Sequence, residues 1–267
     1  MCSACRLARL LAIVILVLTA LGAPAAQGRQ FTYTYTNIDF PGALFTFAFG
    51  LNEQGPHIVG NYVDSDFARH AFLLSGDDFS TIDPPGGTID NSANSINNRG
   101  EIVGQFDDAD GHYHGYVLAD GIYTTIDFPG ATDTFTNGIN DSGQIVGDYI
   151  DSAGVDHGFL LSRGVFTTID VDLPEATDSA ASAINDRGEI VGLYFDAGGI
   201  FHGYVLSNGA FTRIDFPGAV HTLLYGNNNK GDIVGRYVTD SNANRTSAQH
   251  AFLLSSGSFI TVDPPGW

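Results

Sequence analysis

One unit of about 44 residues recurs five times along the chain, and it constrains the fold more than any single residue does. Ile-Val-Gly stands at 58–60, 102–104, 145–147, 190–192 and 233–235. Before it comes a turn that opens on Asn97, Asn140, Asn185 or Asn228 and closes on glycine three residues later; the first copy has Asn52 and Gly55 with Pro56 inserted. After it come His70, His114, His157, His202 and His250, each followed by Ala or Gly and then Phe or Tyr. A third element, Ile-Asp or Val-Asp near Pro-Gly, appears six times, with Asp39, Asp83, Asp127, Asp170, Asp215 and Asp263 spaced by 44, 44, 43, 45 and 48 residues.

Each period reads as four short strands. In the third copy these are 134–139, 144–150, 158–161 and 165–170, rich in Val, Ile, Thr and aromatics and bounded by Gly, Asn, Asp or Ser, with no competing helical period. The turn 140–143 suits a hairpin, because glycine accepts positive φ and the Asn side chain bonds its own backbone. Pro-Gly at 41, 85, 129, 217 and 265 suits the centre of a type II turn between repeats. A four-stranded antiparallel meander repeated at this length predicts a five-bladed β-propeller, whose radial closure protects blade edges; the period is too long for common β-helix coils. The first strand of each copy is expected to line the axis, where Gly50, Ser95, Gly138, Ala183 and Gly226 are small enough for the crowding. The sixth Ile-Asp element implies that 31–40 or 258–263 supplies a closing outer strand, without saying which.

Residues 1–26 read as a secretory leader: Arg6 and Arg9, an apolar run from Leu10 to Leu21, then small residues at the cleavage position. Residues 27–267 then form a single propeller domain, expected outside the cytoplasm, monomeric and not inserted in a membrane after cleavage. Both cysteines, Cys2 and Cys5, lie in the leader, so the remainder holds together by packing alone. With 11 Lys+Arg against 30 Asp+Glu and a formal charge of −19, the chain lacks the basic clusters that bind nucleic acid or anionic membranes.

The series Ile-Asn-Asp-x-Gly-Gln/Glu-Ile-Val-Gly, followed by His-Ala-Phe or His-Gly-Phe, resembles the bacterial extracellular HAF repeat and covers essentially the whole chain after the leader. The resemblance implies a secreted repeat protein and carries no activity with it. Three of the five triplets here read Gly in place of Ala.

The histidines recur once per repeat, so a propeller spreads them around a ring too wide to share one ion, and each is expected to pair with a nearby carboxylate or backbone group. Asp64, Asp108, Asp151 and Asp196 follow the second strand as turn formers. Asp107, Asp108 and Asp110 place several oxygens in one loop, which makes calcium the one cation the sequence suggests, although the EF-hand frame is absent. No other cofactor is indicated. Differences between copies gather at the end of the meander that carries the second-to-third-strand loops and the blade links: Asp172 and Glu175 lie in an irregular link, and Asn242 and Arg245 in an extended loop. Variable loops on a rigid scaffold are where specificity is placed. One equivalent axis-facing position holds Phe49, Asn94, Asn137, Ser182 and Tyr225, side chains that stack on and hydrogen-bond sugars. The reading is a non-catalytic propeller binding a glycan or protein on its variable face. The alternatives are a glycosidase or lyase, which needs a carboxylate pair near the axis, and a purely architectural surface protein.

Overall fold

The computed structural model describes residues 34–55, 57–173, 175–240 and 249–263. The leader, Pro174, Asn242, Arg245 and the last Pro-Gly lie outside the described residues. The described chain is all-β, a five-bladed β-propeller of four-stranded antiparallel meanders in a ring. First strands are Phe45–Leu51, Ser92–Ile96, Asp133–Ile139, Ala176–Ile184 and His221–Asn227; second strands are His57–Val63, Ile102–Asp107, Ile145–Ile150, Ile190–Asp196 and Ile233–Val238. Third strands are Arg69–Ser75, Tyr113–Ala119, Asp156–Ser162, Phe201–Ser207 and Gln249–Ser255; fourth strands are Asp78–Thr81, Ile122–Ile126, Val165–Ile169, Ala210–Ile214 and Ser258–Thr261. Each set of four is one sheet, and consecutive first strands lie side by side as the innermost layer. Ser258–Thr261 pairs with Gln249–Ser255 and is the outer strand of its own blade, blade 5.

Turn chemistry follows the repeat. Gly42, Gly86, Gly130 and Gly218 of the Pro-Gly links take φ of +80° to +96°, as the second centre of a type II turn demands. At the Asn turns the Asn140 Oδ1 accepts the N–H groups of Ser142 and Gln144, and the Gly143 N–H closes on the Asn140 carbonyl at 3.0 Å. The same asparagine then reaches sideways. Its Nδ2 donates to the Asn185 carbonyl of the next blade (3.1 Å), and Asn52 does so to Asn97, Asn97 to Asn140 and Asn185 to Asn228 (3.0–3.3 Å). One residue on, a second ladder runs in parallel: the N–H of Glu53, Asn98, Asp141 and Asp186 donates to the side chain of Asn98, Asp141, Asp186 and Asn229 respectively. An invariant-looking turn residue is thus also the staple between blades.

Packing explains the rest of the repeat. Val59, Val103, Val146 and Val191 are wholly buried against the following blade, in clusters such as Val103 with Ile139, Ile145 and Phe159. A β-bulge interrupts the first strand of every blade, and the residue after it must be small: a Cβ on Gly138 would lie 2.9 Å from the Ala183 Cα of the next blade. The glycine of Ile-Val-Gly sits opposite the bulge, where any side chain would collide with a first-strand carbonyl such as that of Phe135.

Four junctions share this construction and the fifth differs. Among the described residues, neither ladder continues from blade 5 to blade 1, and Asn228 keeps only the bond to the residue four positions on, Asp232, that Asn97, Asn140 and Asn185 also make. Residues 34–40 lie across that junction: the Tyr35 hydroxyl donates to the Asp263 carbonyl (2.9 Å), and Phe40 stacks on Tyr62 at 3.7 Å.

Candidate functional site

Four of the five repeat histidines are locked between two carboxylates, and the fifth, His250, meets one. His70 lies 2.6 Å from Asp83 and 3.1 Å from Asp64; His114, 2.8 Å from Asp127 and 3.3 Å from Asp108; His157, 2.7 Å from Asp170 and 3.5 Å from Asp151. His202 bridges Asp215 and Asp196 at 3.2 and 3.4 Å, and His250 meets Asp263 at 2.5 Å. Every ring also packs on an aromatic of the second strand, as His157 does on Tyr149 at 5.1 Å. The cluster ties the start of the third strand to the end of the fourth and to the loop after the second, so both aspartate series and the histidine have one structural task. Burial disfavours charge on His70, His114 and His157, but the flanking carboxylates outweigh it and raise their pKa values above 6.5. The hydrogen bond from His70 lowers the carboxyl of Asp64; backbone N–H groups do the same first for Asp108, Asp151 and Asp196.

A different feature stands out on the variable end. Between blades 1 and 2 lies a cavity of about 350 Å³ lined by Phe45, Phe47, Val63, Phe67, Arg69, Ile89 and Asp90. Phe45 and Phe47 pair with Val63 and Asn61 and face blade 2; the position of Phe47 holds Ser92 and Ala180 in blades 2 and 4 and the larger Phe135 and Leu223 in blades 3 and 5. The far wall is built from the blade link. The Arg69 N–H donates to the Ile89 carbonyl (2.8 Å), the Arg69 Nη1 to Asp90 (2.5 Å), and the Tyr113 hydroxyl to the other oxygen of Asp90 (2.7 Å). Over the mouth stands Phe67, 76% exposed and held at φ +63°. The loops of the next three blades place Gly111, Gly154 and Gly199 at this left-handed position. A bulky residue there is strained by roughly 1–2 kcal/mol, and strain of this kind collects at ligand-contacting positions.

The other candidate positions are dispersed. Phe49, Asn94, Asn137, Ser182 and Tyr225 are the bulge residues of the five first strands. Asn94 and Asn137 use their amides within the scaffold, donating to Gln105 and Asp148 of their own blades and to the Thr136 and Ala181 carbonyls of the next. Phe49 stacks beside Phe47, one ring away from the pocket. Ser182 is half-buried and Tyr225 exposed. Glu175 accepts from Arg213 (3.1 Å) and Tyr194 (3.2 Å) in the link between blades 3 and 4; its own N–H, together with these two donors, lowers its pKa. Asp172 is exposed in the same link. Asp107 is buried and accepts from the Thr88 hydroxyl and the N–H groups of Thr88, Ile89 and Asp90, whereas Asp108 serves its own turn and His114. The oxygens of Asp107, Asp108 and Asp110 therefore do not converge, and among the described residues no group of three or more His, Cys, Asp or Glu is placed to hold a metal ion. Also among the described residues, no helix is long and apolar enough to cross a membrane.

Sequence reasoning missed Phe67, Arg69 and Asp90. The signal for Phe67 lay in the loop alignment, where an aromatic replaces the glycine of three other copies. The pocket itself depends on how two blades abut, which no single repeat shows.

No family model and no curated protein matches this chain. Solved propellers resemble it in fold. A putative TolB from Agrobacterium tumefaciens is 15% identical, with a TM-score of 0.61 over 81% of this chain and 80% of that one. A mutant of the Aleuria aurantia lectin, in complex with alpha-methyl-L-fucoside, is 13% identical with a TM-score of 0.51 over 83% and 79%. Another structure of that lectin, described as having a six-bladed β-propeller fold and a novel fucose recognition mode, gives 0.50 over 83% and 80%. At these identities the likeness establishes the propeller architecture alone.

Proposed function

We propose that this protein is a secreted HAF-repeat propeller that binds a glycan, without catalysis, in the cleft between blades 1 and 2 on its variable face. The observation that carries the reading is Phe67, an exposed aromatic kept in a strained left-handed conformation over an aromatic-walled pocket. Aromatic faces stack on the C–H faces of sugar rings, and a paired Arg and Asp at the wall supply donors and acceptors for hydroxyls. The fucose complex of the Aleuria aurantia lectin supports a propeller as a scaffold for such binding. Nothing in the reading requires a metal ion.

A glycan array screened with residues 27–267, in Ca²⁺ and in EDTA, tests it. Hits that are insensitive to EDTA and disappear in both Phe67→Ala and Arg69→Ala are the expected result. Hits that survive both substitutions place binding elsewhere, and a blank array across folded protein overturns the glycan reading.

A further inference from the structure

The junction between blade 5 and blade 1 exposes what the other four cover. Val234 of blade 5 is 43% exposed, while its counterparts Val59, Val103, Val146 and Val191 are fully buried by the following blade. Across the same junction Leu51 of blade 1 is 47% exposed, where Ile96, Ile139 and Ile184 are covered by the preceding blade. Both ladders stop here as well among the described residues. Among the described residues the Asn228 amide bonds only Asp232, without the next-blade carbonyl that the other four asparagines find, and the Asn52 carbonyl lacks the interblade donor that the others accept.

Residues 34–40 show what kind of structure belongs in this sector. Tyr35-Thr36-Asn37-Ile38-Asp39-Phe40 parallels Tyr123-Thr124-Thr125-Ile126-Asp127-Phe128, the outer strand and link of blade 2. Tyr123 bonds the Ile82 carbonyl at the end of blade 1, and Tyr35 bonds the Asp263 carbonyl at the end of blade 5. The N-terminal segment thus runs where the outermost strand of a further blade would run, and among the described residues it pairs with no sheet. The five blades also overlay 80% of a lectin chain described as six-bladed, close to the share that five blades of six would take.

We propose that the inner part of this sector is a docking site for a β-hairpin of the repeat's own type, presented by a partner polypeptide as two strands joined by an Asn-x-x-Gly turn. The four intact junctions specify the ligand. Its first strand carries a small residue against Val234, its second a β-branched residue against Leu51, and its turn asparagine accepts from Asn228 and donates to the Asn52 carbonyl. Apolar faces combined with amide-to-carbonyl spacing at one strand interval fit a hairpin and give a sugar no counterpart. Addition of strands to an incomplete sheet assembly is a general recognition mode.

The test uses residues 27–267 with a synthetic peptide of residues 133–150, the first hairpin of blade 3, followed by calorimetric titration and thermal unfolding. Saturable one-to-one binding that raises the unfolding temperature is expected, weakened at least roughly tenfold by Asn140→Ala in the peptide, about 1.4 kcal/mol. Val234→Asp in the chain is expected to abolish binding while leaving the unfolding temperature of the free chain unchanged, whereas Val146→Asp unfolds it. If Val234→Asp is as damaging as Val146→Asp, blade 5 is covered by blade 1 and the site does not exist. If a folded wild-type chain neither binds the peptide nor is stabilised by it, the hairpin is not the occupant. Neither result bears on glycan binding between blades 1 and 2.

Discussion

Phe67 joins two effects that usually travel separately. Replacing it with glycine restores the residue type that Gly111, Gly154 and Gly199 use at the same φ. The relief of the left-handed strain is worth roughly 1–2 kcal/mol, partly offset by the 0.5–1 kcal/mol that glycine adds to the entropy cost of folding. Phe67→Gly is therefore expected to leave the protein at least as stable in urea titration while removing glycan binding. A clear loss of stability would mean that the ring packs in the loop and does not wait for a ligand. Arg163 offers a control without a pocket, since it also has positive φ (+52°) in a tight hairpin turn with Gly164. Arg163→Asn, a residue that tolerates this region, is expected to stabilise by about 0.5 kcal/mol and to change binding not at all.

At the scale of the strand and turn, the asparagine ladder sets the largest single-residue cost outside the apolar core. Asn140 is buried, accepts two N–H groups of its own turn and donates to the next blade. Removing it leaves buried groups unpaired, so Asn140→Ala is expected to cost about 2–3 kcal/mol. Asn228 is exposed and makes no interblade bond among those described, so Asn228→Ala is expected to cost about 1 kcal/mol or less. Equal losses in parallel urea titrations would remove the ladder from the account. Strand positions and turn types were legible in the sequence because each repeat states them five times: the strand expected at 165–170 is Val165–Ile169, and the Pro-Gly turns have the expected φ. The lateral bonds of Asn52, Asn97, Asn140 and Asn185 were not legible, since they depend on how neighbouring blades align. The same is true of the pocket, because Phe45 and Asp90 lie far apart in the repeat and meet only across a blade boundary. The bulge residues were found as one equivalent set, but their amides serve the scaffold in Asn94 and Asn137, a distinction that composition does not carry.

The five histidine clusters act on the whole molecule because they recur in every blade. The pKa values of His70, His114 and His157 are raised above 6.5 in the folded state, so their contribution is full below that pH and is lost as pH rises through the folded values. The carboxyls of Asp64, Asp108, Asp151 and Asp196 are lowered below 3.8, so their contribution is full above that pH and is lost as pH falls through the folded values. Unfolding temperature measured from pH 3 to 9 is expected to peak between these limits, and His157→Gln is expected to flatten the alkaline decline. An unchanged alkaline slope in that variant would show that the clusters do not govern it. With a formal charge of −19, the chain is also expected to gain stability as salt rises to about 0.2 M, since screening relieves self-repulsion over distances beyond about 8–10 Å.

The ladders run in one direction, each blade donating to the next, and among the described residues they do not join last to first. A closed circle has no weakest place, whereas a row of stapled units has two ends. Among the described residues the ladders hold blades 2, 3 and 4 from both sides and blades 1 and 5 from one, with residues 34–40 alone crossing the remaining junction, so melting is expected to start as fraying at blades 1 and 5 and to move inward. Amide exchange would record this as a gradient, slowest in Ile145–Ile150 and fastest in the strands that flank the open junction. The protein would then behave less like a wheel than like a short polymer of blades, with its cooperativity set by how firmly each neighbour is stapled.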